Sequence, residues 1–181
     1  MKTPQHEFDM RTLDWFQSNT TRQDRKYTST YFEIIWVKRG SGLVTTGFAT
    51  YPVNDDRTFL LLPGQNRKFN IEPGAEGCYI SFSRDFLESH SCQPGLASLL
   101  EPYVPDNIFP VKYNSAEEQA DTAYIFLKLE QEFSGDFLFR SEIINTYLQT
   151  LLLSIARKIN PDGKSMGQCR EVEITRKFMT L

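Results

Sequence analysis

Short apolar runs alternate with compact turns from Tyr31 to Phe82. The runs YFEIIWVK, TFLLL and RKFNI are rich in aromatic and branched side chains, which favour strands. The turns Arg39–Gly42, Pro63-Gly64 and Pro73-Gly74 separate them at nearly even spacing, and glycine there supplies the positive φ of a hairpin turn. This pattern predicts a small antiparallel barrel or sandwich in which each strand pairs with the next one along the chain.

The segments on either side of this region add shorter elements. An apolar cluster of Leu13, Trp15 and Phe16 in the polar N-terminal segment predicts an edge strand packed on the barrel. The sequences SRDFLESH and GLASLLEPY predict short surface helices. NIFPV predicts a last short strand, which Pro110 places at a sheet edge because proline cannot donate a hydrogen bond to a neighbouring strand.

Two longer helices follow. Ser115 and Glu118 form a capping box, which predicts a helix from there to about Ser134, with Gly135 as its stop. A second helix is predicted from about Phe137 to Ile159, since Asn160-Pro161-Asp162-Gly163 cannot continue it. The fold class predicted is therefore mainly β, with two packed helices at its C-terminal end.

The second helix carries more apolar positions than one packing partner needs. They cover an arc of about 220°, whereas a helix with a single apolar face shows a stripe of about 100°. One interpretation is a helix that is buried on both faces within a monomer. The interpretation we favour is that one face pairs two copies of the chain. The side chains assigned to this dimer contact are Ile144, Tyr147, Leu148, Leu151, Leu152 and Ile155.

The composition changes after this helix. Residues 161–170 form a Gly- and Lys-containing linker without an apolar period. Residues 171–181, EVEITRKFMTL, predict an amphipathic helix with an acidic first turn. We therefore expect a barrel over 1–112, a helical dimerisation segment over 113–160, and the first turns of a further, truncated domain from 171 onward.

The overall composition is that of an ordinary globular protein. Of 181 residues, 40% are hydrophobic and 24% are charged, and the N-terminus lacks the apolar run of a signal peptide. The three cysteines are far apart and fit reduced thiols, so we expect a soluble cytoplasmic protein that has no contact with membranes. A net charge of −3 opposes nucleic-acid binding by this chain alone.

Motifs for catalysis are absent from the sequence. The only histidines, His6 and His90, have no metal-ligand spacing, and no nucleophile elbow, Walker loop or dinucleotide-binding loop is present. Gly40-Ser41-Gly42 reads as a turn, and the paired carboxylates lie where a turn or a helix cap explains them. We therefore predict no enzymatic activity and no cofactor.

The order of these parts resembles the effector-binding half of AraC-type bacterial transcription factors. The residues that carry the likeness are Glu33–Gly42, Phe59–Gln65 with Arg67, and Tyr79–Phe86. The resemblance implies a cupin-like double-stranded β-helix that binds a small-molecule effector and a helical segment that forms a homodimer. It also implies that DNA is bound only through a C-terminal domain, of which EITRKFMTL looks like the first helix.

The same resemblance implies that no metal is bound. Glu33 stands at the position of the cupin metal-binding glutamate and Gly40 at that of the following glycine. The usual His-x-His region is occupied by residues 25–29, RKYTS, and Arg67 stands in place of the last histidine. Arginine stays protonated and cannot ligate a metal at neutral pH.

Strand alternation and the resemblance together define a candidate effector pocket. Side chains of alternate residues share a face, so Glu33 facing inward places Ile35 and Val37 inward as well. A carboxylate and one or two guanidinium groups in an apolar interior have to be paired or bound to a ligand. Two readings stay open: a structural salt bridge from Glu33 to Arg67 or Arg25, or an effector site. The residues assigned to effector binding are Arg25, Tyr27, Glu33, Arg67, Phe69 and Tyr79.

Two alternatives to the sensor interpretation remain. The chain could be a free-standing, metal-independent cupin enzyme of the isomerase or epimerase type. It could also be a structural dimerisation domain whose interior is filled by its own side chains.

Overall fold

The computed structural model describes residues 7–19, 27–47, 49–89, 100 and 110–159. The strands are β1 Phe8–Thr12, β2 Tyr27–Thr28, β3 Phe32–Arg39, β4 Gly42–Thr46, β5 Ala49–Val53, β6 Arg57–Leu61, β7 Asn66–Ile71, β8 Glu76–Phe82 and β9 Val111–Lys112. The helices are α1 Leu13–Asn19, α2 Arg84–Ser89, α3 Ala116–Ser134 and α4 Arg140–Ile159.

The strands form two antiparallel sheets. The first sheet has the order β1-β8-β3-β6-β9, and the second has the order β2-β7-β4-β5. Helices α3 and α4 follow the sheets in the chain and pack against each other and against the first sheet. The predicted fold, a mainly β domain followed by two packed helices, is confirmed.

The predicted pairing of consecutive strands is wrong at three turns. β3 pairs with β6 and β8, whereas β4 pairs with β5 and β7, so the turn Arg39–Gly42 carries the chain from one sheet to the other. The turns at Pro63-Gly64 and Pro73-Gly74 do the same. Gly40, Gly64 and Gly74 do have positive φ, at 138°, 82° and 83°. A glycine in a turn thus indicates that the backbone reverses there, but it does not indicate which strand is the neighbour in the sheet.

Two of these turns touch each other. The Glu72 amide donates to the Ser41 carbonyl (2.9 Å), which joins the β3–β4 turn to the β7–β8 turn. A Cβ atom at Gly40 would lie 2.6 Å from the Cβ of Ala75, whereas one at Gly64 would meet nothing within 4 Å. Gly40 is therefore required both by its φ and by the close approach of the neighbouring turn.

The first sheet is buried on both faces. Ile35 and Val37 of β3 face the second sheet and pack in a cluster with Val44 and Phe69. The intervening residues of β3, such as Ile34, face the helices and belong to a separate cluster. Because both faces are covered, the strand reads as a nearly continuous apolar run, although antiparallel sheets usually alternate.

The apolar cluster near the N-terminus forms a helix, and the prediction of an edge strand at Leu13–Phe16 is wrong. The edge strand β1 ends at Thr12, whose hydroxyl accepts a hydrogen bond from the Trp15 amide (3.2 Å) and so caps α1. Leu13 and Phe16 are spaced three apart and both are buried between the sheets, while Trp15 is 43% exposed. The spacing of three is that of one helix face.

The predicted caps of α3 are confirmed. The Ser115 hydroxyl accepts from the Glu118 amide (3.1 Å), and the Glu118 carboxylate accepts from the Asn114 amide (2.7 Å). Gly135 ends the helix with φ −92°, so its role is not a left-handed turn. A Cβ there would meet the ring of Phe137, an exposed side chain that can turn away from it.

Helix α4 begins at Arg140, three residues later than predicted, because residues 137–139 form the turn between the two helices and Phe139 has φ 60°. Both apolar faces of α4 are covered within one chain, by the first sheet, α2 and α3. Asn145 on α4 donates to the Phe86 carbonyl of α2 (2.6 Å). Burial within one chain, which is one of the two interpretations of the wide apolar arc given above, therefore accounts for it.

Several predicted elements lie partly or wholly outside the described residues. The linker 161–170 and the segment 171–181 are among them, as is most of GLASLLEPY, of which Leu100 alone is described and is buried. SRDFLESH contains α2, and the predicted last strand is represented by β9 at the edge of the first sheet. None of the helices in the described parts of the chain is long and apolar enough to cross a membrane.

Replacing two turn glycines should distinguish the energetic cost of a positive φ from that of a steric contact between the turns. Gly64→Ala should lower the free energy of unfolding by about 1–2 kcal/mol, the cost of a left-handed alanine. Gly40→Ala should lower it by a further ~1–3 kcal/mol, because the new methyl group pushes against Ala75. Urea denaturation of both variants measures the difference, and equal losses would contradict the proposed contact between the turns.

Acid should weaken the contact between α3 and α4, because it protonates the Glu118 carboxylate that Lys158 binds. Lys158 donates to the Glu118 carboxylate (2.7 Å), and this bond, with the one from the Asn114 amide, lowers the pKa of Glu118 below its usual value. A lowered folded-state pKa gives stability that is present above the unfolded-state pKa and is lost as the pH falls through the folded-state pKa. Lys158→Met should therefore reduce stability at neutral pH and flatten its decline in acid.

The matched control for this titration is Lys128→Met, since Lys128 contacts Gln131 and the Tyr124 ring and forms no ion pair with any of the described residues. Denaturation curves between neutral pH and about pH 3, around the ordinary range for a glutamate, provide the measurement. An acid limb with the same slope in Lys158→Met as in the parent chain would contradict the role assigned to this pair.

Candidate functional site

An ion pair lies inside the β-sandwich. Arg67 Nη1 donates to Glu33 Oε2 at 2.8 Å, and the two side chains are 0% and 3% exposed. Glu33 is on β3 of the first sheet and Arg67 is on β7 of the second. The pair therefore connects the two sheets through the interior.

Arg67 also holds the turn between β6 and β7. Its Nη2 donates to the Leu62 carbonyl (2.9 Å) and its Nε donates to the Gln65 carbonyl (3.2 Å). The Gln65 side chain in turn accepts from the Leu62 amide (2.9 Å), and the Gly64 amide donates to the Ser29 carbonyl (2.8 Å). One guanidinium thus fixes a strand, a turn and, through that turn, the segment that leads into β3.

Aromatic rings lie on the same interior side of the first sheet. Tyr79 stacks on Phe16 with 4.6 Å between ring centroids, and Phe69 meets Phe16 edge-on at 5.7 Å. Of the residues assigned to effector binding, Glu33 contacts Arg67 directly, and Phe69 and Tyr79 are joined through Phe16. The Tyr27 backbone pairs with Arg67, whereas its side chain and the whole of Arg25 lie outside the described residues.

Phe16 was not among the predicted site residues. The signal that could have identified it is the spacing of three between Leu13 and Phe16, which indicates a helix with one inward face. A ligand that reached Tyr79 or Phe69 would have to displace this ring, because Phe16 is 4% exposed and in contact with both.

A second concave feature lies on the opposite face of the first sheet, between its β1–β8–β3 edge and helix α3. This α3 groove has a volume of about 870 Å³, within the usual range for ligand sites. Small residues are part of its lining on both sides, Cys78 on the sheet and Ala120 and Ala123 on the helix. Its walls are mainly apolar and aromatic, and its lining residues are Met10, Arg11, Thr12, Trp15, Trp36, Lys38, Glu76, Gly77, Cys78, Ala120, Ala123, Tyr124, Phe126, Leu127, Glu130, Phe133 and Ser134.

The charges of the α3 groove fall into two kinds. Arg11 is bound to Asp9 and Glu76 is bound to Arg39, so these two are neutralised by neighbours. Lys38 and Glu130 form no ion pair within the described parts of the chain. Burial, and to a lesser extent the Glu130 carboxylate, raises the pKa of the Cys78 thiol, so this sulfur is protonated and a poor nucleophile.

The geometry of both features suits binding. Over the described ranges, with their gaps at 20–26, 48, 90–99 and 101–109, no group of three or more His, Cys, Asp or Glu side chains lies close enough to hold a metal. The interior offers a guanidinium and a carboxylate beside aromatic rings. The α3 groove offers an apolar channel in which Lys38 and Glu130 form no ion pair with the described residues, while Arg11 and Glu76 are paired with neighbours.

The described residues form two antiparallel sheets followed by a helical hairpin. The solved structures that match the chain include apo ToxT K231A from Vibrio cholerae, with a TM-score of 0.54, 14% identity and coverage of 88% of this chain. ToxT is an AraC-family regulator whose N-terminal domain has this cupin-like fold, and the predicted resemblance is confirmed at the level of fold.

Other comparisons are more distant. Wild-type ToxT from Vibrio cholerae with an unsaturated fatty acid bound matches with a TM-score of 0.48 and 14% identity. The match covers 88% of this chain and 58% of the ToxT chain. EutQ from Clostridium difficile gives 0.31 at 14% identity, covering 43% of this chain and 69% of EutQ. The chain spans 59% of the length of the apo ToxT chain. No protein-family model and no curated protein matches it.

A double-mutant cycle should measure the interior pair. Glu33→Leu and Arg67→Met should each lower the free energy of unfolding by about 3–5 kcal/mol, because each leaves one buried charge without its partner. The double variant should lose clearly less than the sum, since no charge then remains buried. Arg39→Met is the control, because the exposed Arg39–Glu76 pair should leave unfolding nearly unchanged. Strictly additive losses in the interior cycle would contradict the pairing.

Proposed function

We propose that this chain is the effector-binding and dimerisation part of an AraC-type transcriptional regulator whose DNA contacts are made by a C-terminal half. The observation that carries the proposal is the buried Glu33–Arg67 pair beside Phe16, Phe69 and Tyr79, inside a fold shared with ToxT. Replacing buried ion pairs by apolar residues is often neutral or stabilising, so stability alone does not explain why charges stand here.

The effector expected from this chemistry is a small molecule with an anionic group and an apolar or aromatic body. Its anionic group competes with Glu33 for the Arg67 guanidinium, which binds carboxylates in a bidentate manner. Its body takes the place of Phe16 against Tyr79. The effector then favours a second arrangement of α1 and of the turn at Leu62–Gln65, and such a difference in affinity between two states is what coupling requires.

Dimerisation through α4 remains part of the proposal, but the side chains first assigned to it are not exposed. Ile144, Leu148, Leu151, Leu152 and Ile155 are buried within one chain, and Tyr147 is partly buried against the same cluster. The exposed side of α4 carries Leu153, at 46% exposure, and three hydroxyl residues that bond to their own helix backbone, Thr146, Thr150 and Ser154.

A second candidate is a structural dimerisation domain without an effector. The packing of Phe16 against Phe69 and Tyr79 favours it, because these rings already fill the space beside the ion pair. In this case Glu33 and Arg67 serve to align the two sheets.

Thermal-shift screening against sugars, organic acids and fatty acids distinguishes the two candidates. An anionic ligand at about 100 times its dissociation constant should stabilise the chain by about 2.7 kcal/mol. Arg67→Lys and Tyr79→Ala should each abolish most of this shift, while the control Arg39→Lys should retain it. A shift that survives both interior substitutions would contradict the interior site. A screen without any stabilising ligand would favour the structural candidate, and a monomer in light scattering at high concentration would remove dimerisation.

A further inference from the structure

We infer that the α3 groove is the docking site for the C-terminal segment of this same chain, residues 171–181. The first reason is the path of the chain. Lys158 at the end of α4 is bonded to Glu118 at the start of α3 (2.7 Å), so the chain leaves α4 beside the Ala120 end of the groove. The eleven residues 160–170 can span about 36 Å when extended, which allows residue 171 to reach that end.

The dimensions of the groove match this segment. The groove follows α3 from Ala120 to Ser134, a length of about 21 Å at 1.5 Å per residue. The segment 171–181 has the periodicity of an amphipathic helix, which would be about 16 Å long. Small residues allow helices to approach closely, and Ala120 and Ala123 of α3 line the groove on the helix side.

The orientation of α3 over the sheet fixes where the two unpaired charges lie. Phe126 stacks on Trp36 with 4.5 Å between ring centroids, and Phe133 contacts Phe8 at 5.7 Å. Lys38 is two residues beyond Trp36 on β3, at the Ala120 end of α3. Glu130 lies between Phe126 and Phe133 along α3, further from the point where the chain leaves α4.

The charges of the segment have the matching order. A segment that enters from the Ala120 end brings its acidic first turn, Glu171 and Glu173, to Lys38. Arg176 and Lys177 then come to Glu130. The apolar side of the segment, Ile174, Phe178 and Leu181, covers the exposed edges of the groove, where Trp15, Tyr124 and Leu127 are 43%, 55% and 48% exposed. Sign, order and apolar face thus agree in a single orientation of the segment.

This contact holds whether or not the chain binds an effector. Its regulatory meaning rests on the proposed function, because the resemblance makes residues 171–181 the first helix of the DNA-binding half. Docking in the α3 groove then holds that half against the sensor in one of two states.

Amide hydrogen exchange on the whole chain, residues 1–181, tests the docking. Amides of 171–181 should exchange at least about tenfold more slowly than in an isolated peptide of the same sequence, because a helix of this length is marginal in water unless it packs. Leu127→Glu in the groove and Phe178→Glu in the segment should each abolish this protection. The matched controls are Leu43→Glu, which is equally exposed (46%) but lies on the second sheet, and Thr180→Glu.

A charge exchange makes the test specific for orientation. Lys38→Glu and Glu173→Lys should each raise the exchange rate of the segment, and the double variant should restore the slower rate. Peptide-like exchange in the unmodified chain, or protection unchanged by Leu127→Glu, overturns the inference. Protection that falls on dilution assigns the groove to a second copy and overturns it too. The inference is also overturned if native mass spectrometry of the purified chain shows a bound small molecule and the amides of 171–181 are unprotected. None of these measurements needs an effector or DNA, so a failure of the docking inference can be distinguished from a failure of the proposed function.

Discussion

Among the described residues, Glu33 and Arg67 place opposite charges inside the β-sandwich, and their contact constrains how the two sheets align. Glu33 belongs to one sheet and Arg67 to the other, so their 2.8 Å contact forms only when the two sheets are correctly aligned. Nη2 and Nε of Arg67 donate to the carbonyls of Leu62 and Gln65, so each guanidinium nitrogen has an acceptor within the protein. A misaligned sandwich would leave both charges uncompensated, at a cost of several kcal/mol per ion.

The interior pair and the helices act on opposite faces of the same sheet. β3 contributes Glu33 and Ile35 to the interior, and Ile34 and Trp36 to the helical side, because consecutive side chains of a strand point in opposite directions. A shift of one residue in register would exchange these two sets, so burial on both faces specifies the register of this sheet strongly. Phe126 and Phe133 of α3 then pack on defined rows of side chains, and this places the helical hairpin.

Local signals in the sequence were enough for α2, α3, α4 and the conformation of the turns, but not for α1 or for strand order. Ser115 and Glu118 define the start of α3 because a cap involves only neighbouring residues. The positive φ of Gly40 is local too, whereas the pairing of β3 with β6 and β8 depends on contacts far apart in the chain. The same holds for the α3 groove, whose lining joins residues of β1, β3 and β8 to residues of α3 that are far apart in the chain.

Only part of the candidate site could be predicted from the sequence. A buried pair involving Glu33 could be predicted, with Arg67 or Arg25 as its partner or a ligand in their place, because an isolated charge in an apolar interior is costly; the structure pairs Glu33 with Arg67. The wide apolar arc of α4 has two physical explanations, a second chain or a deeply buried helix, and periodicity does not distinguish between them. Burial against the sheet, α2 and α3 accounts for the arc without a partner.

Helix α1 is the element that reaches both proposed binding sites. Phe16 points into the interior and stacks on Tyr79, while its neighbour Trp15 lines the α3 groove. The sheet itself transmits little between its faces, because no side chain of β3 or β8 belongs to both, and a paired ladder resists displacement. An effector that displaces Phe16 must move α1, and moving α1 must move Trp15 in the groove. A seven-residue helix at the edge of the sheet, anchored mainly by Leu13 and Phe16, is therefore the element through which the proposed effector would change the proposed hold on the C-terminal segment.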